Sequence, residues 1–218
     1  MPSALTFAAA VAGLLLGPWL AAVTVRLAQR NLAARPTPVR VAVTSLLAAG
    51  LVAAGPALTG DRPAAVALAW FGAAAVVLAG VDLRAHRLPD RVTYPALAGC
   101  GVALLTDAVV TGDAGAVLRA AVAAVAAAGA GVAARVASPA ALGRGDVKLL
   151  GLLGVVLGWA GWGVLLGGVL VGLLVGALGS VLLIAAGRAG WRTRVPFGPP
   201  LLVGAWVAMW LAAPLPLA

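Results

Sequence analysis

The sequence contains no glutamate, and only one lysine (Lys148), one histidine (His86) and one cysteine (Cys100) in 218 residues. Without glutamate, all side-chain carboxylate chemistry falls on Asp61, Asp82, Asp90, Asp107, Asp113 and Asp146. A lone cysteine in an apolar segment supports neither a disulfide framework nor a thiolate zinc site, and reads as a small packing residue. Charged residues make up 10% of the chain against 63% hydrophobic, and the mean hydropathy is +1.11. A soluble helical protein would need polar faces to cover its surface, whereas the long segments here are apolar all round. The chain therefore reads as an integral membrane protein. Its net charge of +9 lies between apolar spans and is not gathered on one module. That pattern favours membrane topology over nucleic-acid binding.

What the sequence has in abundance is alanine, valine, leucine and glycine, small or apolar residues that let membrane helices approach closely. A span needs about 20 apolar residues. Cutting at charges, prolines and glycine-rich turns gives eight candidates: 4–24, 41–58, 64–81, 93–111, 115–136, 147–160, 163–187 and 198–216. The run from Val147 to Gly187 is too long for one crossing, and "GWAGWG" at 158–163 is the expected turn. The first span is preceded by no Lys or Arg and followed by Arg26, Arg30, Arg35 and Arg40. This is the reverse of a secretory signal, so the span is expected to be retained with the N terminus outside. Arg84, Arg87, Arg91, Arg135, Arg144, Lys148, Arg188, Arg192 and Arg194 then join those four on the inner side. Only Arg62 and Arg119 remain outside. The expectation is one all-α domain over 1–218, a polytopic helical bundle with both termini outside and no separate soluble domain.

The same topology sorts the acids. Asp61, Asp107 and Asp113 fall in or beside outer loops, where they read as solvated caps and turn formers. Asp82, Asp90 and Asp146 fall at the inner face. Asp82 ends the run "ALAWFGAAAVVLAGVD" with no turn before it, a costly depth for a carboxylate without a cavity or a partner. Asp146 follows Gly143 and Gly145, which let the backbone bend and approach closely beside it. Asp82 and Asp146 can meet at one membrane face, where two carboxylates divide the work of acid and base on a water molecule. For each acid the alternative is an interfacial ion pair, Asp82 with Arg84 or Arg87 and Asp146 with Arg144 or Lys148. Charge and depth alone leave peptide hydrolysis and proton transport both open.

"GRGDVKLL" at 143–150 resembles the G-x-G-D-x-K-L signature of the type IV prepilin peptidases, membrane aspartyl proteases of the GxGD type. "VDLRAHRLPDRVTYP" at 81–95 is similar to that family's first catalytic segment, and "VPFGPPLLVGAW" at 195–206 to the start of its last span. The resemblance covers the chain from about residue 40. It implies that Asp82 and Asp146 are the catalytic pair, that Gly143 and Gly145 let the backbone approach a substrate strand, and that Lys148 anchors the loop or tunes Asp146. Pro89 and Asp90 match a Pro-Asp pair with a structural role, Asp90 being expected to cap the next helix. His86 reads as a solvated loop residue.

The resemblance further implies a substrate, a prepilin or pseudopilin with a short basic leader and a following apolar helix, cut at the cytoplasmic face of a bacterial inner membrane. Long members carry a CxxC zinc insert between the first two spans and methylate the new N terminus. Residues 25–40 hold no cysteine there. The expectation is therefore a short, peptidase-only form with no metal and no cofactor for cleavage, S-adenosylmethionine being needed only if methyl transfer is retained. Membrane lipid is an expected partner and nucleic acid is not. Leader-reading residues and oligomeric state are not indicated. The principal alternative is a proton-coupled transporter or channel, which predicts acids near the bilayer midplane and duplicated halves. A non-catalytic scaffold or a presenilin-like intramembrane protease are the others, the latter lacking its Tyr-Asp signature here.

Overall fold

The computed structural model describes residues 3–138, 142–188, 190, 193 and 195–213. Among these the chain forms eight helices and no strand: α1 (Ala4–Gln29), α2 (Pro38–Thr59), α3 (Ala64–Ala85), α4 (Asp90–Thr111), α5 (Ala114–Ala137), α6 (Arg144–Ala160), α7 (Trp162–Ala185) and α8 (Gly198–Ala212). Their starts follow from capping chemistry. Ser3, Thr37 and Asp113 each accept a hydrogen bond from a backbone N–H in the first turn of the helix they precede, and Pro38 adds its fixed φ at N1 of α2. The long apolar run breaks at Gly161, inside the expected turn, with φ at +155°, a backbone setting that side-chain-bearing residues rarely adopt.

Six helices, α1 to α5 and α7, are long and apolar enough to cross a membrane. Helix α6 has 17 residues and α8 has 15, which at 1.5 Å per residue gives about 25 Å and 22 Å, short of the roughly 30 Å hydrocarbon core. The last span was expected to reach 216, but α8 ends at Ala212, and residues 214–218 lie outside the described residues, as do Arg192 and Arg194.

The short α6 is nevertheless a central element. Its Leu149, Leu152, Leu153, Val156 and Leu157 are fully buried, and they share one core with Leu68, Phe71 and Leu78 of α3 and Leu201 and Trp206 of α8. Phe71 stacks on Trp206 with ring centroids 5.4 Å apart. Helix α7, by contrast, buries little beyond Leu165 and three glycines and turns the rest of its length outward. Glycines set the closest helix pairs. A Cβ on Gly154 would lie 2.6 Å from the Ala123 carbonyl oxygen of α5, and one on Gly17 would run into Ser45 of α2.

Contacts across the bundle define two ends. At one end Arg119 of α5 donates to the carbonyls of Gly158 and Trp159 at the close of α6. Arg62 binds Asp107 there with Nε at 3.2 Å from Oδ1 and a terminal guanidinium nitrogen at 2.6 Å from Oδ2. The hydrogen bond and charge of Asp107 hold the Arg62 guanidinium above its already high pKa. At the other end Arg87 donates to the Leu27 carbonyl, Lys148 meets Asp90, and Asp82 meets Gly198. The acids therefore divide as expected: Asp107 and Asp113 at one end, Asp82, Asp90 and Asp146 at the other.

Asp107 departs from its expected state. It is not a solvated loop residue: it sits inside α4, 1% exposed, and also accepts the Ala64 N–H at 3.1 Å. Because Pro63 precedes α3 with no side-chain cap, the start of that helix leaves free donors that a carboxylate from α4 satisfies. Asp113 does cap α5, accepting from Ala116 at 3.0 Å, and Asp61 lies exposed in the α2–α3 turn.

Candidate active site

Asp82 lies in the last turn of α3, which runs one residue short of His86 before His86 closes it in the left-handed region at φ 48°. His86 is exposed, as expected of a loop histidine. The Asp82 side chain is only 4% exposed. Its Oδ2 accepts the Gly198 N–H at 2.9 Å. Gly198 is the first residue of α8, so its amide has no partner within its own helix and is free to point at an acceptor. A carboxylate there also meets the positive end of the α8 dipole.

Asp146 is built in a parallel way. It is the third residue of α6, half-buried, and its Oδ2 reaches back to accept the Gly143 N–H at 3.0 Å. This is the carboxylate half of a capping box, with glycine in place of the usual Ser or Thr. A Cβ on Gly143 would stand 2.9 Å from Asp146 Oδ2, so glycine is what lets the acid fold back onto its own turn.

One side chain joins the two. Leu88, buried in the α3–α4 connection, would meet a Cβ on Gly145 at 2.9 Å and one on Gly198 at 3.3 Å. It is thus wedged between the start of α6 beside Asp146 and the start of α8 beside Asp82. Helix α3 touches α6 directly. Each acid has Oδ2 tied to a glycine amide, and among the described residues neither Oδ1 takes a hydrogen bond.

The expected ion-pair alternatives do not form among the described residues. Lys148 Nζ instead binds Asp90 Oδ1 at 2.6 Å and lies 5.1 Å from the Tyr94 ring centre. It therefore ties α6 to α4, which fits an anchoring role and not a contact with Asp146. Asp90 corrects its own expectation: it is the first residue of α4, Pro89 is the cap residue, and no side chain caps that helix. Its carboxylate serves Lys148. Among the described residues no three His, Cys or Asp side chains gather where a metal ion could be held. Sequence reasoning did not single out Gly198 and Leu88. The available signal was a glycine opening a helix ahead of two prolines, which marks a free first-turn amide.

The description of the type IV leader peptidase family matches residues 66–186, which contain both acids. A "Prepilin leader peptidase/N-methyltransferase" of Xanthomonas campestris pv. campestris is 37% identical over 147 residues, covering 63% of this chain and 50% of that protein. One of the same name from Burkholderia pseudomallei is 33% identical over 176 residues, covering 77% and 54%. One from Aeromonas salmonicida is 34% identical over 153 residues, covering 67% and 48%. The chain spans about half the length of these relatives. No solved structure matches it.

Proposed function

The chain belongs to the type IV leader peptidase family, and from that premise we propose that it is a membrane-embedded aspartyl endopeptidase that removes the basic leader of prepilin-like proteins. The observation that carries this reading is the approach of Asp82 and Asp146, 64 residues apart in sequence, to the shared Leu88. Both carboxylates keep one oxygen on a glycine amide and the other for a reactant.

In the reaction, one carboxylate takes a proton from water as the water oxygen attacks the scissile carbonyl carbon. The other carboxyl, protonated, gives its proton to the carbonyl oxygen. Collapse of the tetrahedral intermediate breaks the C–N bond: the departing nitrogen takes the proton now held by the base, and a hydroxyl proton of the gem-diol returns to the carboxylate that acted as acid, so the pair again holds one proton. No metal or nucleophilic side chain enters these steps. The reading puts the acid-bearing end at the cytoplasmic face of a bacterial inner membrane, on the strength of the arginines there. A transporter is less well supported, because both acids lie near helix ends at one end of the bundle and not at mid-helix.

Co-expression with a candidate prepilin, with leader removal read by gel shift, tests the proposal. Asp82→Asn and Asp146→Asn should each slow cleavage by about 10²-fold or more. Wild-type rates in either variant would refute the pair. Mass spectrometry of the product N terminus reports whether a methyl group is added; a free amine is the expected outcome.

A further inference from the structure

A groove of about 670 Å³ runs between α2, α3 and α8, with Thr24 of α1 also on its wall; neither acid lines it and the chemistry above does not use it. Its walls are mostly apolar, with Thr24 and Thr44 among them and its charges at one end. There Arg40, in the first turn of α2, and Arg84, in the last turn of α3, line it beside Pro199. From Arg40 it follows α2 as far as Leu51, about 16 Å at 1.5 Å per residue. On α8 it follows the helix from Pro199 to Leu211, about 18 Å. One leaflet of hydrocarbon is about 15 Å deep, half of the roughly 30 Å core.

The geometry points to a binding site for an anionic phospholipid of the leaflet on the acid side, its phosphate between Arg40 and Arg84 and acyl chain along Leu51 and Trp206. Three observations favour this occupant over a substrate helix. The groove is one leaflet deep, whereas a crossing helix needs about twice that length. Its two cations stand where a headgroup lies, a position in which basic pockets between membrane helices bind anionic lipid. The same cations repel the basic leader of the substrate proposed above. Arg84 and Pro199 are also near neighbours in sequence of Asp82 and Gly198, so a lipid held here borders the hydrogen bond that fixes Asp82.

The test needs no peptidase activity, so it fails or succeeds apart from the proposed function. The full chain is reconstituted in nanodiscs of phosphatidylglycerol and phosphatidylcholine in equal amounts, released, and its retained lipid weighed by native mass spectrometry. Phosphatidylglycerol should be retained over phosphatidylcholine by fivefold or more. The preference should fall to near unity in Arg40→Gln/Arg84→Gln and survive in Arg40→Lys/Arg84→Lys. Val203→Trp, which fills the groove without touching its charge, should lower retention of both lipids and covers the case in which the glutamine variant does not fold. No preference in the wild type, an unchanged preference in the glutamine variant, or full retention in Val203→Trp would overturn the site. So would a photo-crosslinker at Val203 that captures a co-expressed prepilin in place of lipid.

Discussion

A side chain at position 198 has nowhere to go. A Cβ there would stand 2.8 Å from Asp82 Oδ2 and 3.3 Å from Leu88, both buried. Gly198→Ala should therefore displace the carboxylate while leaving the first turn of α8 able to form. Because misplacing a reacting group by about 1 Å can cost on the order of 10²-fold, cleavage should drop at least about 10-fold, in kcat and not in KM. An unchanged kcat would remove Gly198 from the positioning of Asp82. Trp206 makes the opposite case. Its indole N–H is buried without a partner among the described residues, and an unmet buried donor costs about 1–3 kcal/mol. Trp206→Phe keeps an aromatic ring against Phe71 and removes that donor, so thermal stability in detergent should hold or rise; a clear fall would show that the N–H is satisfied by water or lipid. At this scale the sequence singled out Asp82, Asp146 and the glycines beside Asp146 as candidates, and their place at one end of the bundle was legible from the charge pattern. It did not disclose Leu88 or the Gly198 amide, because a leucine in a loop and a backbone N–H carry no residue-type signal until two helix starts are brought to the same place.

Among the elements, α3 decides most. It has the largest buried share of the six helices long enough to cross a membrane, it carries Asp82 at one end, and at the other it lacks a cap of its own. The Arg62–Asp107 pair fills that lack from α4, and its desolvated member is Asp107. Removing one partner of a buried pair costs about 3–5 kcal/mol because the other charge stays behind. Arg62 is about half exposed, so Arg62→Met should fall at or below the low end of that range. Pairing it with Asp107→Asn, which neutralises the stranded charge and keeps an acceptor for the Ala64 N–H, should recover part of the loss. A double variant no better than Arg62→Met, followed by thermal inactivation, would mean that Arg62 acts through its contact with Trp159 instead. Hydropathy placed the helices well, since apolar runs of span length leave few alternatives. It misjudged Asp107, because a carboxylate four residues before the end of a helix looks like loop until a cation from another turn reaches it.

For the molecule as a whole, the strongest argument is the agreement between charge and contacts. Helices α3, α4, α6 and α8 bring Asp82, Asp90, Asp146 and Gly198 together at the end that also holds Arg26, Arg40, Arg84 and Arg135. The opposite end keeps Arg62 and Arg119, and there both guanidinium groups are engaged by protein acceptors. Cations are bound by protein acceptors at the acid end as well, Arg87 and Arg135 by carbonyls and Lys148 by Asp90, so the asymmetry between the ends rests on the number of cations at each. The proposed orientation, with the acid-bearing end facing the cytoplasm, is open to a direct test. In a Cys100→Ala background, with the native thiol already buried, Asn31→Cys at the acid end and Asp61→Cys at the other provide exposed reporters. A membrane-impermeant maleimide applied to spheroplasts should label Asp61→Cys and reach Asn31→Cys only after lysis. The reverse pattern would put both acids on the outer face, away from any leader still held in the cytoplasm, and would end the peptidase reading even if the two carboxylates share one site.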